Sequence, residues 1–206
     1  FDPDPAVLGA LREIGWARRM PRLWWDLRRG TSDTGAFSAV LERAYGAIAE
    51  VSGAEVIVDS SKIPGPGLLV SKMASVEERV LHLLRDPRAL AMSWASRKDD
   101  AAGEAHLEPR AAGPVARAWV MRELSIETLL RSAVPKDRYL RLRYEDFASE
   151  PERTTAEILR FVGVDDASPA FVGPSTVRLE STHSAAGNPA RFIEEDRRIV
   201  PDDRWR

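Results

Sequence analysis

Apolar residues recur at helical spacing through the first fifty positions of the chain. Residues three or four positions apart pack on one face of a helix. Pro21 separates two such groups, and a third group follows: Val7, Leu8, Leu11 and Ile14; Leu23, Trp24 and Leu27; Val40, Leu41, Tyr45 and Ile48. The pattern predicts a helical region over residues 1–52, whose last helix occupies about 37–51.

The pattern then changes to two short continuous apolar runs, Val56–Val58 and Val80–Leu84, which predict strands, and Tyr139–Arg143 predicts a third strand. Continuous rather than alternating runs are typical of parallel strands that are buried on both faces. Helical spacing lies between and after the runs, so the βα order predicts an α/β fold, a three-layer parallel sheet flanked by helices, over residues 56–164.

The predicted helices of this part differ in how clearly their ends are marked. Three are expected: one that follows a Pro64–Gly67 breaker and continues through Met73, and two at about 87–97 and 115–132. A capping-box match at Ser149–Glu152 begins a fourth, which Gly163 ends. Gly and Pro predict a loop over 99–114, and residues 165–206 are expected to form an irregular C-terminal region.

Composition narrows the class of protein. A hydrophobic content of 44% over 206 residues suits one globular domain, and we expect 1–206 to form a single domain. The net charge of −2 gives no global field that would recruit nucleic acid. With no cysteine and three histidines far apart, a metal site is not expected. No apolar stretch approaches the length of a membrane span, and we expect a cytoplasmic protein.

The carboxyl ends of parallel strands meet at one edge of a sheet, where ligands bind. Three polar clusters follow the predicted strands: Asp59–Lys62, Arg85–Arg88 and Arg143–Asp146. Arg85 precedes a helix that begins with Asp86 and Pro87, which suits a phosphate. Ser93 lies about two helical turns further on and can donate a hydroxyl to the same anion. The alternative is that Arg85 pairs with a carboxylate and Ser93 is a small packing residue.

At these residues the chain resembles a known family. The segment from Leu83 to Trp94 is similar to the 3′-phosphate-binding segment of sulfotransferases that use 3′-phosphoadenosine 5′-phosphosulfate (PAPS). The segments Val58–Lys62 and His183–Phe192 resemble segments common in the bacterial branch of that family, and Arg143–Phe147 completes the order. The resemblance implies a P-loop nucleotide-hydrolase-like fold and PAPS as co-substrate, with no metal.

The resemblance also implies roles for individual residues. Arg85 and Ser93 would hold the 3′-phosphate, and Tyr144 would contact the adenine. Asn188 and Arg191 lie in the late loop that folds over the nucleotide, where Arg191 adds a second cation. Lys62 resembles a lysine at the reacting centre and is the candidate catalytic residue. The family's 5′-phosphosulfate loop has no match here, and we therefore expect the sequence to lack its N-terminal start.

The N-terminal region is basic and aromatic, and it is the candidate acceptor site. Trp16, Trp24 and Trp25 are predicted to line an apolar pocket whose arginines select an anionic small-molecule or glycan acceptor; the alternative places these rings in the core. A nucleic-acid surface is a further alternative, which the near-zero net charge weakens.

Two other functions fit the same pattern. The βα units also suit a P-loop nucleotide or small-molecule kinase, although no G-x-x-x-x-G-K-[ST] occurs in the chain. A non-catalytic nucleotide-binding module is the third possibility. No general base is assigned: His82 lies in a buried run, His106 in the predicted loop and His183 in the late segment.

Overall fold

The computed structural model describes residues 19–30, 34–60, 63–95, 98–99, 106–107, 109–164, 171–178, 195–203 and 205. The chain divides into two compact units. The first contains Phe1–Val80 and Val120–Tyr139, and the second contains Leu81–Trp119 and Leu140–Arg206.

The described helices and strands follow one another in a mixed order. The helices are α1 (Met20–Arg29), α2 (Gly35–Ser52), α3 (Pro64–Val70), α4 (Pro87–Ala95), α5 (Ala112–Ser125), α6 (Arg131–Ala133), α7 (Tyr144–Ser149) and α8 (Pro151–Val162). A π-helical turn at Ile126–Leu130 joins α5 to α6, and a 3₁₀ turn at Lys136–Arg138 precedes β4. The strands are β1 (Val80–Leu84), β2 (Lys98–Asp99), β3 (His106–Leu107), β4 (Tyr139–Arg143), β5 (Phe171–Gly173), β6 (Thr176–Arg178) and β7 (Asp196–Arg198).

The core of the first unit joins helices that are far apart in sequence. Four buried apolar residues form one cluster: Met20, Leu68, Leu130 and Val134. Phe37 and Leu69 form a second, and Leu23 and Leu27 of α1 pack against both clusters. The helical spacing read around Leu23, Trp24 and Leu27 therefore marks a face that packs against the core.

The Pro64–Gly67 stretch, predicted as a breaker, instead begins α3, and glycine permits the close packing of this helix. A Cβ added at Gly67 would lie 3.3 Å from Leu130 Cδ1, so the missing side chain makes room for Leu130. Gly163 ends α8 in the left-handed conformation, at φ 80°, as the sequence predicts.

The second unit contains most of a parallel pair, β1 and β4, which lie side by side. The sequence predicts both strands correctly. Their burial differs from the prediction, because Leu81 and Leu83 are 40% and 47% exposed while His82 is buried. Side chains alternate between the faces of a strand, so only the face of β1 that carries His82 is covered by the described residues.

The third predicted strand, Val56–Val58, is wrong. This stretch has no strand hydrogen bonding in the described structure, and Val58 is 86% exposed. β-branched residues favour an extended backbone, but a strand also requires a neighbouring strand to pair with. The α/β class is correct to the extent of the β1–β4 pair, and the three-layer sheet stays a prediction.

Three local predictions also need correction. Helix α8 has Glu150 at its N-cap rather than Ser149, since the Ser149 hydroxyl donates to the Glu145 carbonyl, one turn back in α7. The predicted loop over 99–114 includes a short antiparallel pairing of β2 with β3, and α5 already begins at Ala112. The region predicted as irregular contains an antiparallel sheet in the order β5–β6–β7.

Candidate functional site

The end of β1 leads directly into α4, and Asp86 makes that junction. The Asp86 carboxylate accepts from the Arg88 backbone N–H at 2.8 Å, and the Asp86 carbonyl accepts from the Leu90 N–H at 3.0 Å. These contacts identify Asp86 as the N-cap, with Pro87 in the first turn, as the sequence predicts. Hydrogen bonds from the Arg88 guanidinium lower the pKa of Asp86 to about 2, so the cap is ionised at neutral pH.

Arg85 lies between the end of β1 and this cap, where its side chain is 28% exposed. Its Nη2 is 3.3 Å from Asp202 Oδ2, which is the carboxylate pairing that the sequence left open. Its guanidinium lies 4.9 Å from the centre of the Tyr144 ring. The buried Arg85 Nε finds no hydrogen-bond acceptor among the described residues. An arginine N–H without an acceptor is costly when buried, and it suits an incoming anion.

The parallel pairing of β1 and β4 brings their polar ends together. Tyr144 begins α7 directly after β4, which explains why its ring reaches Arg85. Glu145 Oε1 accepts from the Asp86 backbone N–H at 2.9 Å, and this bond links the ends of the two strands. The strand-end rule therefore placed Arg85 and Tyr144 correctly beside each other.

Two residues of this site have no sequence signal. Asp202 contacts Arg85 across 117 positions of sequence, and the Trp205 ring lies 4.2 Å from the Arg88 guanidinium. Both residues follow β7 in the region predicted as irregular. The pattern of the chain contained nothing that would place this segment at the end of β1.

Ser93 lies on α4 and is partly exposed. Its neighbour Trp94 has its ring 4.5 Å from the Arg110 guanidinium, and the Arg110 N–H donates to the Trp94 carbonyl at 2.9 Å. The joint action of Arg85 and Ser93 on one phosphate stays a prediction.

Five other residues of the predicted site region lie outside the described residues: Trp16, Lys62, His183, Asn188 and Arg191. Asp59, at the start of the Asp59–Lys62 cluster, is held by Tyr45 of α2, whose hydroxyl donates to Asp59 Oδ2 at 2.7 Å. Burial and this hydrogen bond raise the pKa of Tyr45 above its ordinary value. The phenol therefore keeps its proton and anchors the beginning of the cluster.

Trp24 lines a cavity of about 330 Å³ in the first unit. Its indole N–H donates to the Ser132 hydroxyl at 3.2 Å, and its ring lies 4.7 Å from the Arg28 guanidinium. The other lining residues include the buried Leu68 and the exposed Lys72. Trp25 is half exposed, with its ring 4.2 Å from the Arg29 guanidinium.

Glu78 is the carboxyl, among the residues that the structure describes, whose pKa the fold raises most. Burial raises its pKa from 4.5 to about 7, against the opposing charges of Arg138 and Lys72. A carboxyl with such a pKa is a typical candidate for a general base. Glu78 precedes β1, however, whereas Arg85 follows it, so the two residues lie at opposite ends of the strand. We therefore regard Glu78 as a structural group.

The raised pKa of Glu78 has a consequence for stability. An acid whose pKa rises on folding favours the folded state fully below its unfolded pKa, and that contribution is lost as the pH rises through the folded pKa. Here the loss falls between about pH 4.5 and 7. Glu78→Gln is expected to increase the free energy of unfolding by about 1–2 kcal/mol at about pH 8, because the carboxyl keeps some contact with water.

Urea unfolding of the wild type and the variant at about pH 4 and about pH 8 measures this effect. At the lower pH the two proteins should be nearly equal in stability. The neighbouring Glu77→Gln is the control. It removes the same type of side chain one residue away, but Glu77 forms ion pairs with Arg79 and Arg138. An equal difference between wild type and Glu78→Gln at both pH values would contradict the assignment.

The part of the chain that the structure describes lacks two kinds of feature. It contains no cluster of three or more His, Asp or Glu side chains that could bind a metal ion. None of its helices combines the length and the apolar character that a membrane crossing requires.

The segment that carries Arg85 is similar to known proteins. A model described as "Sulfotransferase family" matches residues 76–168. Among solved structures, the chain is similar to the "Sulfotransferase Domain from the Curacin Biosynthetic Pathway", with 17% sequence identity and a TM-score of 0.52. The match covers 83% of this chain and 62% of that domain, so the chain spans less than two thirds of its structural neighbour. No curated protein matches the chain.

Proposed function

We propose that the protein transfers a sulfuryl group from PAPS to the hydroxyl or amine of an acceptor, because residues 76–168 match the model of a sulfotransferase family. The matched segment contains Arg85, Ser93 and Tyr144, which are three of the residues expected to bind the nucleotide. The share of the chain that lies before it contains Lys62 and the N-terminal tryptophans.

The observation that best supports the proposal is the incomplete hydrogen bonding of the Arg85 guanidinium. Asp202 takes only Nη2, at 3.3 Å, while the buried Nε has no acceptor among the described residues. A phosphate oxygen pair can accept from both nitrogens at once, which a single carboxylate oxygen on Nη2 does not do. The Arg85 site therefore has the chemistry that a phosphate dianion requires.

The remaining nucleotide contacts are proposed on the resemblance. Ser93 adds a hydroxyl to the 3′-phosphate, and Arg191 adds a cation from the late loop that also carries Asn188. Tyr144 offers its ring to the adenine, and its place beside Arg85 supports that role. Anchoring the nucleotide away from the reacting sulfur fixes the orientation of the sulfate.

The chemistry is an in-line displacement at sulfur. The acceptor oxygen or nitrogen forms a bond to sulfur, the bond from sulfur to the 5′-phosphate oxygen breaks, and the acceptor proton passes to a base. The departing product is 3′-phosphoadenosine 5′-phosphate, whose growing negative charge must be stabilised. We propose that Lys62 supplies a cation to that charge.

We further propose that the cavity beside Trp24 binds the acceptor. Its volume suits a small molecule, and Arg28 and Lys72 place two cations at its lining without any carboxylate among the described lining residues. An indole face and two cations favour a ring-shaped acceptor that carries a negative charge. Trp24 is therefore proposed as an acceptor residue, and the same role for Trp16 and Trp25 stays a prediction.

Incubation with PAPS and a panel of acceptors tests the function. Each anionic ring compound is paired with a neutral analogue of the same shape, and mass spectrometry detects the gain of one SO₃ group together with release of 3′-phosphoadenosine 5′-phosphate. We expect sulfated product, with the anionic member of each pair preferred. If no acceptor gains mass although the nucleotide binds, the transferase proposal is wrong and the binding-module alternative is favoured.

A further inference from the structure

The segment after β7 is anchored at its start and crosses the end of β1. Arg178 of β6 holds Asp196 of β7 through two hydrogen bonds, of 2.9 and 3.2 Å. The Ile199 N–H then donates to the Ser175 carbonyl at 2.7 Å. These bonds fix the point from which residues 199–203 leave the β5–β6–β7 sheet.

Two side chains of this segment contact the arginines of the candidate nucleotide site. Asp202 pairs with Arg85, and the two side chains are only 23% and 28% exposed. Trp205 places its ring 4.2 Å from the guanidinium of Arg88. Arg88 is itself held by Asp86 through bonds of 3.0 and 2.8 Å, so Trp205 contacts a fixed group.

The Asp202 carboxylate pairs with the same guanidinium that the proposed nucleotide would bind. A carboxylate and a phosphate are both anions that bind arginine through oxygen, and the Nη2 that Asp202 uses belongs to the same fork as the unpaired Nε. Both anions cannot take Nη2 in the same geometry. A phosphate that binds the whole fork must displace Asp202.

We propose that Asp202 competes with the 3′-phosphate for Arg85 and thereby lowers the affinity for 3′-phosphorylated nucleotides. The proposal rests on the proposed function, since it assumes that Arg85 binds the nucleotide. Asp202 keeps Arg85 paired until a ligand offers two oxygens to the fork. A nucleotide without a 3′-phosphate leaves the Arg85–Asp202 pair intact and gains nothing from it, whereas a 3′-phosphorylated nucleotide replaces the pair at a cost in affinity.

Asp202→Asn removes the competing charge and keeps the shape of the side chain. Isothermal titration measures the binding of two probes, 3′-phosphoadenosine 5′-phosphate and adenosine 5′-phosphate, to the wild type and the variant. We expect the first probe to bind the variant about three- to tenfold more tightly, since a partly exposed ion pair is lost. The affinity of the second probe should not change.

Two controls separate competition from a general effect of charge. Asp203→Asn removes the same charge one residue further along and should leave both affinities unchanged. In an Arg85→Ala background, Asp202→Asn should no longer tighten binding, because the group for which the two anions compete is gone. A thermal unfolding midpoint for each variant checks that it is folded.

The other outcomes overturn the proposal in distinguishable ways. Unchanged or weaker binding of the 3′-phosphorylated probe by Asp202→Asn means that Asp202 does not compete, and weaker binding would make it a residue that positions Arg85. Equal tightening of both probes means that Asp202 acts only through net charge. If the wild type and Asp202→Asn both fail to bind the 3′-phosphorylated probe, the nucleotide site itself is wrong and the competition falls with it.

Discussion

Replacement of Arg85 by alanine is expected to weaken binding of 3′-phosphoadenosine 5′-phosphate by about 1.5–3 kcal/mol, which is the usual contribution of a hydrogen bond to a charged group. This corresponds to a roughly 10- to 150-fold increase in Kd. The effect is large because the guanidinium is mostly buried and its Nε has no other acceptor among the described residues. Isothermal titration at fixed salt measures it.

Arg79→Ala is the matched control for this measurement. Arg79 precedes the strand that Arg85 follows, and it forms an ion pair with Glu77 at 2.9 Å. Removing it deletes the same charge at the other end of β1 and should change Kd by less than about twofold. Equal Kd values for wild type and Arg85→Ala would remove Arg85 from the proposed site.

Leu68→Ala is expected to lower the free energy of unfolding by about 2–5 kcal/mol, the range for deleting a buried leucine side chain. Leu68 is 1% exposed and packs in the cluster with Met20, Leu130 and Val134. The void that the substitution leaves therefore lies where three separate parts of the chain pack together. Urea unfolding followed by circular dichroism measures the loss.

Val51→Ala provides the comparison. Val51 is 88% exposed at the end of α2, so its truncation should change the free energy of unfolding by no more than about 0.5 kcal/mol. A loss for Leu68→Ala as small as this would mean that α3 does not pack in the core as the structure describes.

Local chemistry explains which parts of the fold could be predicted from the sequence. The Asp86–Pro87 start of α4 and the Gly163 end of α8 are specified by residues within one turn of the helix end, and both are confirmed. The strands predicted at β1 and β4 are also present in the structure. In each case the signal and the structure lie within a few residues of each other.

The parts that could not be predicted depend on contacts between distant residues. Val56–Val58 has the composition of a strand, but a strand forms only where a partner lies, and composition says nothing about the partner. Burial of β1 on one face rather than two is decided in the same way, since the exposure of Leu81 and Leu83 depends on what covers them.

The candidate site also contains residues that the sequence could predict and one that depends on a distant contact. Arg85 and Tyr144 follow parallel strands, so the strand-end rule places them together. Asp202 reaches Arg85 only because β7 pairs with β6 in an antiparallel sheet that the sequence pattern did not reveal. Arg85 and Tyr144 were therefore predictable, whereas the negative group that faces Arg85 was not.

The π-helical turn at Ile126–Leu130 joins α5 to α6 and determines the direction in which the side chains after α5 point. Such a turn contains one residue more than an ordinary α-helical turn, and each residue advances a helix by about 100°. A deletion of one residue there would swing Leu130 and Val134 by more than a quarter of a revolution. Both side chains would then rotate away from Met20 and Leu68, so the length of this one turn keeps the end of the helix in register with that core cluster.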